Sequence, residues 1–481
     1  SKELTYTKQN ASIKYGEDAL RLAEKFKDNK SISEAYSNIA DAYYYLSDFD
    51  NALSFYNKSL DVAKIISDKA LMANALNNIG IVNYLWGKLD IATEFFYQSL
   101  EMSKAIGDKE GEANCLNNLG NILFDKGDIK KAGEFYNKVL QIKKATGNVD
   151  DYVKALINIG NVYENKGQYN EALKYYENAH NVVKNGKDKR ILSNISSNIG
   201  AIYMNLGKDD KALMFFNISL ELSEELGDQK GKSMALTNIG LINIHSGNFK
   251  KAHEYLQNSL EIHEKIGDKS GQSKDMYNIG LIFDELKEFS SALEYYNRSL
   301  ELMEDLSDQK GIANVYSSLG NTNANSKDYK SAIQYYEKAL NLNMQLNDMQ
   351  GIAKNYQNIG SLMEMTGKDK EAVLYYQKSL EIEERMGNSR GISESLLNIG
   401  SIYKNQGNFI KASEYYKRCE SIARENKYRQ ILMITSKYLS ETYMLQDNYQ
   451  KALDYYIDYT TLKDTIYNEE SKKQISEIQT K

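Results

Sequence analysis

Small and apolar residues return along this chain at a fixed interval of forty. Wrapped at that length, one column holds Ala40, then Gly80, Gly120, Gly160, Gly200, Gly240, Gly280, Gly320, Gly360 and Gly400, and finally Ser440. Isoleucine or leucine precedes it each time, from Ile39 and Ile79 to Ile399 and Leu439. Twelve residues after it stands alanine, from Ala52 to Ala452. An aromatic pair follows three and four residues later, as in Phe55-Tyr56, Phe95-Phe96, Tyr175-Tyr176 and Tyr375-Tyr376, with Leu256 the exception at the second place.

These offsets belong to helices. Over 71–110, Ala75, Leu76, Ile79 and Gly80 follow the i, i+1, i+4, i+5 rhythm of one buried arc. Gly87 breaks it, and Asp90 or Ile91 opens a second helix that buries Ala92, Phe95, Phe96, Ser99, Leu100 and Met102. A turn is expected at Gly107-Asp108-Lys109-Glu110-Gly111, where glycine supplies the left-handed residue that ends a helix. Each unit therefore reads as a helical hairpin with one shorter and one longer arm. A lone hairpin cannot cover its apolar faces, so neighbours must stack. The expected fold is all-α: an α-solenoid superhelix of stacked antiparallel helix pairs.

Composition agrees with that picture. The chain has 481 residues, more than one compact core usually spans, and no proline at all. A helix interior excludes proline, which removes a donor and clashes with the preceding turn. The net charge of −6 carries no basic footprint for nucleic acid. No apolar run approaches the roughly 20 residues that cross a bilayer. Cys115 and Cys419 stand in columns of Ala, Ser, Val or Ile and read as buried small residues rather than a disulfide. The chain opens on Ser1 and reads as a piece whose ends have been removed.

Candidate chemistry is sparse. Walker-type loops, HExxH and paired CxxC motifs are missing from the sequence. His180 replaces a core leucine and is expected as a hydrogen-bonded interior imidazole. His245, His253 and His263 do not align on one helical face, so no metal site is expected, and no cofactor. Carboxylates fall mostly in surface columns. Asn57-Lys58-Ser59 and Asn297-Arg298-Ser299 fit the glycosylation pattern, but their serines lie in a core column. The 38 tyrosines are expected chiefly in core columns. No enzymatic activity is expected, and any kinase or cyclase output would lie outside this chain.

Leu396-x-x-Ile399-Gly400-x-x-Tyr403, followed by Ala412-x-x-x-Tyr416, resembles the tetratricopeptide repeat signature. The departures are the period, forty rather than about 34, and the missing final proline. The extra residues are expected to lengthen the second helix and add the turn. The pattern looks like the longer class found in cell-polarity adaptors and many bacterial regulators. The expected organisation is a partial first repeat over 1–30 (second helix only), eleven units over 31–470, and a cap or linker helix over 471–481.

Stepping about 100° per residue around the first helix leaves one arc open. Over 71–110 it holds Asn74, Asn77, Ile81, Tyr84 and Leu85, with Asn78 at the margin. That margin column is asparagine at Asn38, Asn78, Asn118, Asn158, Asn198, Asn238, Asn278, Asn358 and Asn398. More amides gather beside it, among them Asn114, Asn117, Asn121 and Asn161. Asparagine costs a helix roughly 0.5 kcal/mol against alanine, so a compensating role is expected. Packed helices lie about 8–10 Å apart and an extended strand rises about 3.3 Å per residue. One amide per repeat would meet an extended peptide at about every third residue, donating to a carbonyl and accepting from an N–H. The resemblance implies the same use, since related long-period repeats hold extended peptides with an asparagine ladder. A second reading stands beside it: a margin amide can bond the adjacent repeat and tie the solenoid together.

The expected partner is a protein or extended peptide, with no nucleic acid and no membrane insertion by this chain. A two-carboxylate clamp is not supported, because Lys154, Lys274 and Lys354 stand singly among amides. The tail from Leu462 to Lys481 keeps Leu462, Ile466, Ile475 and Ile478 at helical spacing. It resembles the junction after the repeats in bacterial tetratricopeptide sensor and histidine kinase proteins. Its other reading is a cap helix over the last repeat's apolar face. The resemblance implies the sensory part of a bacterial signalling protein, cytoplasmic or periplasmic; the alternative is a free-standing adaptor like the cell-polarity scaffolds.

Overall fold

A computed structural model describes the backbone of residues 2–184 and 188–479, and the side chains of 10–184 and 188–466. Turns fall every twenty residues, where the chain enters the left-handed region at Ser47, Ser67, Gly87, Gly107 and Gly127 and onward to Lys427 and Asp447. Glycine holds most of these places because only it adopts that conformation without a Cβ penalty. At the start of first helices the caps are acids and amides. Asp68 accepts from the N–H groups of Ala70 and Leu71, Asp108 from that of Gly111, and Asn148 from that of Asp151.

The chain divides into two units, Ser1–Ile242 and Asn243–Lys481. The first begins with a single helix, α1 (Lys2–Phe26), followed by five antiparallel pairs. These are α2 (Asn29–Tyr45) with α3 (Phe49–Ile65), α4 (Lys69–Leu85) with α5 (Leu89–Ile106), and α6 (Lys109–Asp125) with α7 (Ile129–Thr146). Then come α8 (Val149–Asn165) with α9 (Tyr169–Val183), and α10 (Lys189–Asn205) with α11 (Asp209–Leu226). The division falls within α12 (Gln229–His245). The second unit continues with α13 (Phe249–Ile266), then pairs α14 (Lys269–Glu285) with α15 (Phe289–Asp305) and α16 (Gln309–Asn325) with α17 (Tyr329–Gln345). It ends with α18 (Met349–Met365) and α19 (Asp369–Met386), α20 (Ser389–Asn405) and α21 (Phe409–Glu425), and α22 (Arg429–Met444) and α23 (Tyr449–Gln479). Each unit is an all-α solenoid of antiparallel helix pairs.

The glycine column explains the close approach inside each hairpin. A Cβ on Gly160 would stand 2.4 Å from the Tyr176 ring, and one on Gly80 2.7 Å from that of Phe96. The aromatic is thereby fully buried, which stabilises a side chain of that size by about 1.5–3 kcal/mol. Hydroxyls close the same seam: Ser99 Oγ donates to the carbonyl of Ala73 over 2.7 Å, and Ser299 Oγ to that of Ser273 over 2.7 Å. Ser59 and Ser299 are therefore core residues, as their columns require. Cys115 and Cys419 are both buried free thiols, and burial pushes each above its usual range.

Two expectations fail. The arms are nearly equal: α4 has 17 residues and α5 only one more, 18. The turn residues expected to follow the second helix in fact open the next first helix, with Gly107 ending α5, Asp108 capping, and Lys109 beginning α6. The extra residues are thus shared between the arms. α23 runs unbroken from Tyr449 to Gln479. The side chains of Ile475 and Ile478 lie outside the described residues. No described helix is long and apolar enough to cross a membrane.

Candidate functional site: an amide-lined cavity in the first unit

Three consecutive first helices of the first unit, α4, α6 and α8, bring six of the predicted amides to one cavity of about 470 Å³. Asn77 comes from α4, Asn114, Asn117, Asn118 and Asn121 from α6, and Asn158 from α8. Ile81, Ala113 and Val139 supply the apolar part of the wall. Heptad-like spacing on α6 places 114, 117, 118 and 121 on one face, so a single helix contributes four amides.

The amides divide by what already holds them. Asn118 Nδ2 donates to Asn77 Oδ1 over 3.1 Å, and Asn158 Nδ2 to Asn117 Oδ1 over 2.9 Å. Each bond joins one repeat to the next, so the margin column does tie neighbours together here. Asn121 Oδ1 accepts from the Tyr136 hydroxyl over 2.8 Å, and Asn161 Oδ1 from that of Tyr176 over 2.5 Å. In each, the tyrosine occupies one acceptor site of the amide oxygen and leaves the amide hydrogens out of that bond. Asn114 is exposed on the cavity wall. Asn74 is exposed and Asn78 half-buried, both on α4 outside the cavity lining.

One wall is charged, and column reading missed it. Lys143 of α7 is 2% exposed, and its Nζ donates to Glu110 and, over 2.9 Å, to Asp151 Oδ2. Lys154 reaches Asp151 Oδ1 over 3.0 Å, and Asn148 Nδ2 donates to Asp151 Oδ2 over 3.0 Å. The hydrogen bond from Lys143 holds the Asp151 carboxyl below its ordinary range. Burial opposes the charge of Lys143, but the two carboxylates outweigh it and raise the amine above its usual value. Lys154 is therefore one member of a network, not a solitary groove cation. The available signal was Lys143 itself, standing among Ala63, Ser103, Val183 and Ser223 in its column.

The tetratricopeptide repeat profile matches residues 7–65, 68–145, 151–225, 191–265, 232–305, 311–385 and 391–464. The chain belongs to that family. Among solved structures, this tetratricopeptide chain is similar to the apo form of the quorum sensor NprR from B. thuringiensis. That likeness is at 17% identity, over 69% of this chain and 98% of that one, with a TM-score of 0.54. It is also similar to aspartyl phosphate phosphatase F from Bacillus subtilis, at 14% identity, over 73% of this chain and 93% of that one, with a TM-score of 0.50. At these identities the likeness concerns the fold. No curated protein matches the sequence.

The other predicted tetratricopeptide amides do not join the cavity. Asn198 on α10 and Asn238 on α12 are half-buried on their own helices. In the second unit Asn278 is buried, Asn398 half-buried, and Asn358 keeps a buried Nδ2 without a hydrogen-bond partner. The same seam there is closed by other chemistry, as where the Tyr277 hydroxyl and Ser318 Oγ lie 3.0 Å apart.

Two histidines pack into the helical core. His180 sets its ring edge-on to Phe215 at 6.0 Å, and burial lowers its basicity. His263 is buried, with Nδ1 2.7 Å from Oδ2 of the fully buried Asp275. Ser259 Oγ lies 3.4 Å from the same nitrogen. Because serine and carboxylate converge on one nitrogen, this is a core polar pair and not a nucleophile–base relay. Among the described residues no cluster of His, Cys, Asp or Glu could hold a metal ion.

Proposed function

We propose that the chain is a non-catalytic scaffold that binds protein, holding an extended peptide segment along its first helices. The observation that carries this reading is the amide-lined cavity shared by α4, α6 and α8. Asn114 can both donate and accept, and Asn121 can donate, toward a guest backbone. Such contacts grip a main chain without reading its sequence, while Ile81 and Val139 supply apolar contact for a side chain. Of the remaining predicted positions, Asn78, Asn198, Asn238, Asn278, Asn358 and Asn398 belong to the margin column and Asn74 and Asn161 stand beside it, and all are kept in the proposal as contacts within their own unit. We also keep the partition into a partial repeat over 1–30, eleven repeats over 31–470 and a cap or linker over 471–481 that begins within α23.

The setting we infer is the sensory or regulatory part of a bacterial signalling protein. A fold shared with a quorum sensor supports it, as does the continuous α23, which suits a junction helix.

A random dodecapeptide display library panned against the chain tests the binding reading. Recovered peptides should lose about ten-fold in affinity or more, by fluorescence anisotropy, with N114A combined with K154A. Peptides that bind equally well to that variant would place the binding surface elsewhere.

A further inference from the structure

Each second helix sets one large side chain against the first helix of its own hairpin, and whether that side chain carries a hydroxyl follows a rule. Where the residue fifteen places earlier is polar, it is tyrosine. Tyr136 OH bonds Asn121 over 2.8 Å, Tyr336 OH bonds Asn321 over 2.7 Å, and Tyr416 OH lies 3.1 Å from Ser401 Oγ. Where that residue is apolar, as at Ile81, Ala201 and Leu241, the place holds Phe96, Phe216 and Leu256, with no hydroxyl to satisfy. Leu281 breaks the rule. It is followed by Tyr296, which is fully buried and whose hydroxyl has no hydrogen-bond partner.

The other kind of acceptor used in this chain falls short here. Glu164 accepts from Tyr176 OH over 2.7 Å and Glu364 from Tyr376 OH over 3.1 Å, each twelve places before its ring. Asp284 holds that place before Tyr296, one methylene shorter, and its buried Oδ1 has no partner either. The two orphans are neighbours: burial raises the Tyr296 phenol above its usual range, and the charge of Asp284 adds to the rise. Groups around them are committed elsewhere. Ser318 Oγ lies 3.0 Å from the Tyr277 hydroxyl, and Thr322 Oγ1 donates to the carbonyl of Ser318 over 3.0 Å. Burial raises the Asp284 carboxyl; Thr322 and Asn325 oppose the rise, Glu285 adds to it, and no cation among the described residues takes part.

Buried polar groups without partners cost stability unless something else completes them. Leu281 stands where Ile81 and Asn121 line the cavity of the first unit, and Asp284, half-buried, follows one turn along the same face. We propose, on the reading that a segment lies along the first helices, that Asp284 receives a lysine or arginine side chain of that segment, with the Tyr296 hydroxyl behind the carboxylate. Charge complementarity selects this occupant, because the acid stands beside exposed Glu285 and has no base of its own. An ammonium or guanidinium brings both the cation and the N–H donors of a charge-assisted hydrogen bond.

The dodecapeptide selection on the whole chain tests it. A class of recovered peptides should carry a lysine or arginine whose replacement by glutamine weakens binding about ten-fold or more by anisotropy. Against D284N the same replacement should change affinity by less than about two-fold. Against E285Q, at the exposed neighbour, the ten-fold loss should remain. D284N is isosteric and removes no hydrogen bond, so the fold is kept. Y296F, a ring that the Phe96 and Phe216 hairpins already hold, should weaken the basic peptides by about three-fold, which a merely structural hydroxyl would not do. Recovered peptides that answer to N114A with K154A but depend on no basic residue would overturn the inference and leave the groove reading standing. A basic preference that survives D284N would overturn it in favour of a diffuse acidic field. Recovery of no peptide at all would overturn both.

Discussion

Lys143 and Glu383 occupy the same place in two repeats 240 residues apart, one in each unit. Both are charged side chains in a column of mostly small or neutral residues, and both are buried, at 2% and 4% exposure. Their surroundings differ at several places, Glu110, Asp151 and Lys154 standing where Glu383 has Gln350, Gly391 and Glu394. Lys143 meets Asp151 from the next first helix, where Glu383 meets Gly391. With Glu110 and Asp151 at hand, the lysine keeps its charge. Glu383 has an Oε2 without a hydrogen-bond partner, and burial raises its carboxyl above the usual range. A solenoid can therefore accept an ionisable group at this seam in two ways: by completing an ion pair, or by holding the group toward its neutral form.

The largest effect should come from removing the paired cation. K143M leaves Glu110 and Asp151 facing each other without their shared donor. Breaking a buried pair costs about 3–5 kcal/mol, and here the lower end applies because the carboxylates retain some exposure. Hydrogen exchange on α7 and α8 should register the loss locally, because repeat arrays open in parts. The same variant should also change the acid limb. Asp151 is held below its ordinary value, so its contribution is present above that value and is lost as pH falls through the lowered one. In K143M that limb should shift upward.

A transplant tests whether the difference lies in the partner alone. E383K by itself should destabilise α19 and α20, since no acid stands at Gly391. Adding G391D should recover about 2 kcal/mol by recreating the Lys143–Asp151 geometry. If the double variant is no better than E383K, the pair depends on Glu110 as well, and the matching Gln350 becomes the residue to change.

A smaller effect, of opposite sign, is expected from E383Q. The raised carboxyl keeps its proton in the folded state at pH values where the unfolded chain has lost it. Stability is therefore lost as pH rises from the ordinary value near 4.5 through the raised one. E383Q should raise the unfolding free energy from urea titration at pH 7 by about 1 kcal/mol and leave it unchanged at pH 4. A flat difference across that range would mean that Glu383 is ionised and solvated in place.

The contrast also shows what the sequence could and could not say. Columns of shared residues announced the repeat and the burial of Ser59 and Ser299, but not that each glycine faces the aromatic of its own hairpin, as Gly160 faces Tyr176. Exceptions within a column carry the chemistry, and they are read only against neighbours that lie in another helix. Lys143, Asp275 and Glu383 each look like a surface charge until the facing residue is known. Spacing alone does not divide the expected turn over 107–111, where Gly107 ends one helix and Asp108 caps the next. The asparagine column was visible, but not its division of labour, because spacing gives a face and not a bond partner.

That division yields the smallest effect and the sharpest separation of tie from grip. Asn118 spends its amide on Asn77, and Asn158 spends its own on Asn117. Replacing either with alanine should cost about 1 kcal/mol and loosen exchange protection in α6 or α8. Asn114 is exposed on the same cavity wall, so N114A should leave stability within about 0.5 kcal/mol. Its effect should appear instead on the affinity of peptides selected against the chain. If N114A loosens the seam as N118A does, the open amide is structural too, and the column has one role. If N118A weakens peptide binding as much as N114A without loss of protection, the tie is itself displaced by the guest, and the two roles belong to the same residues at different times.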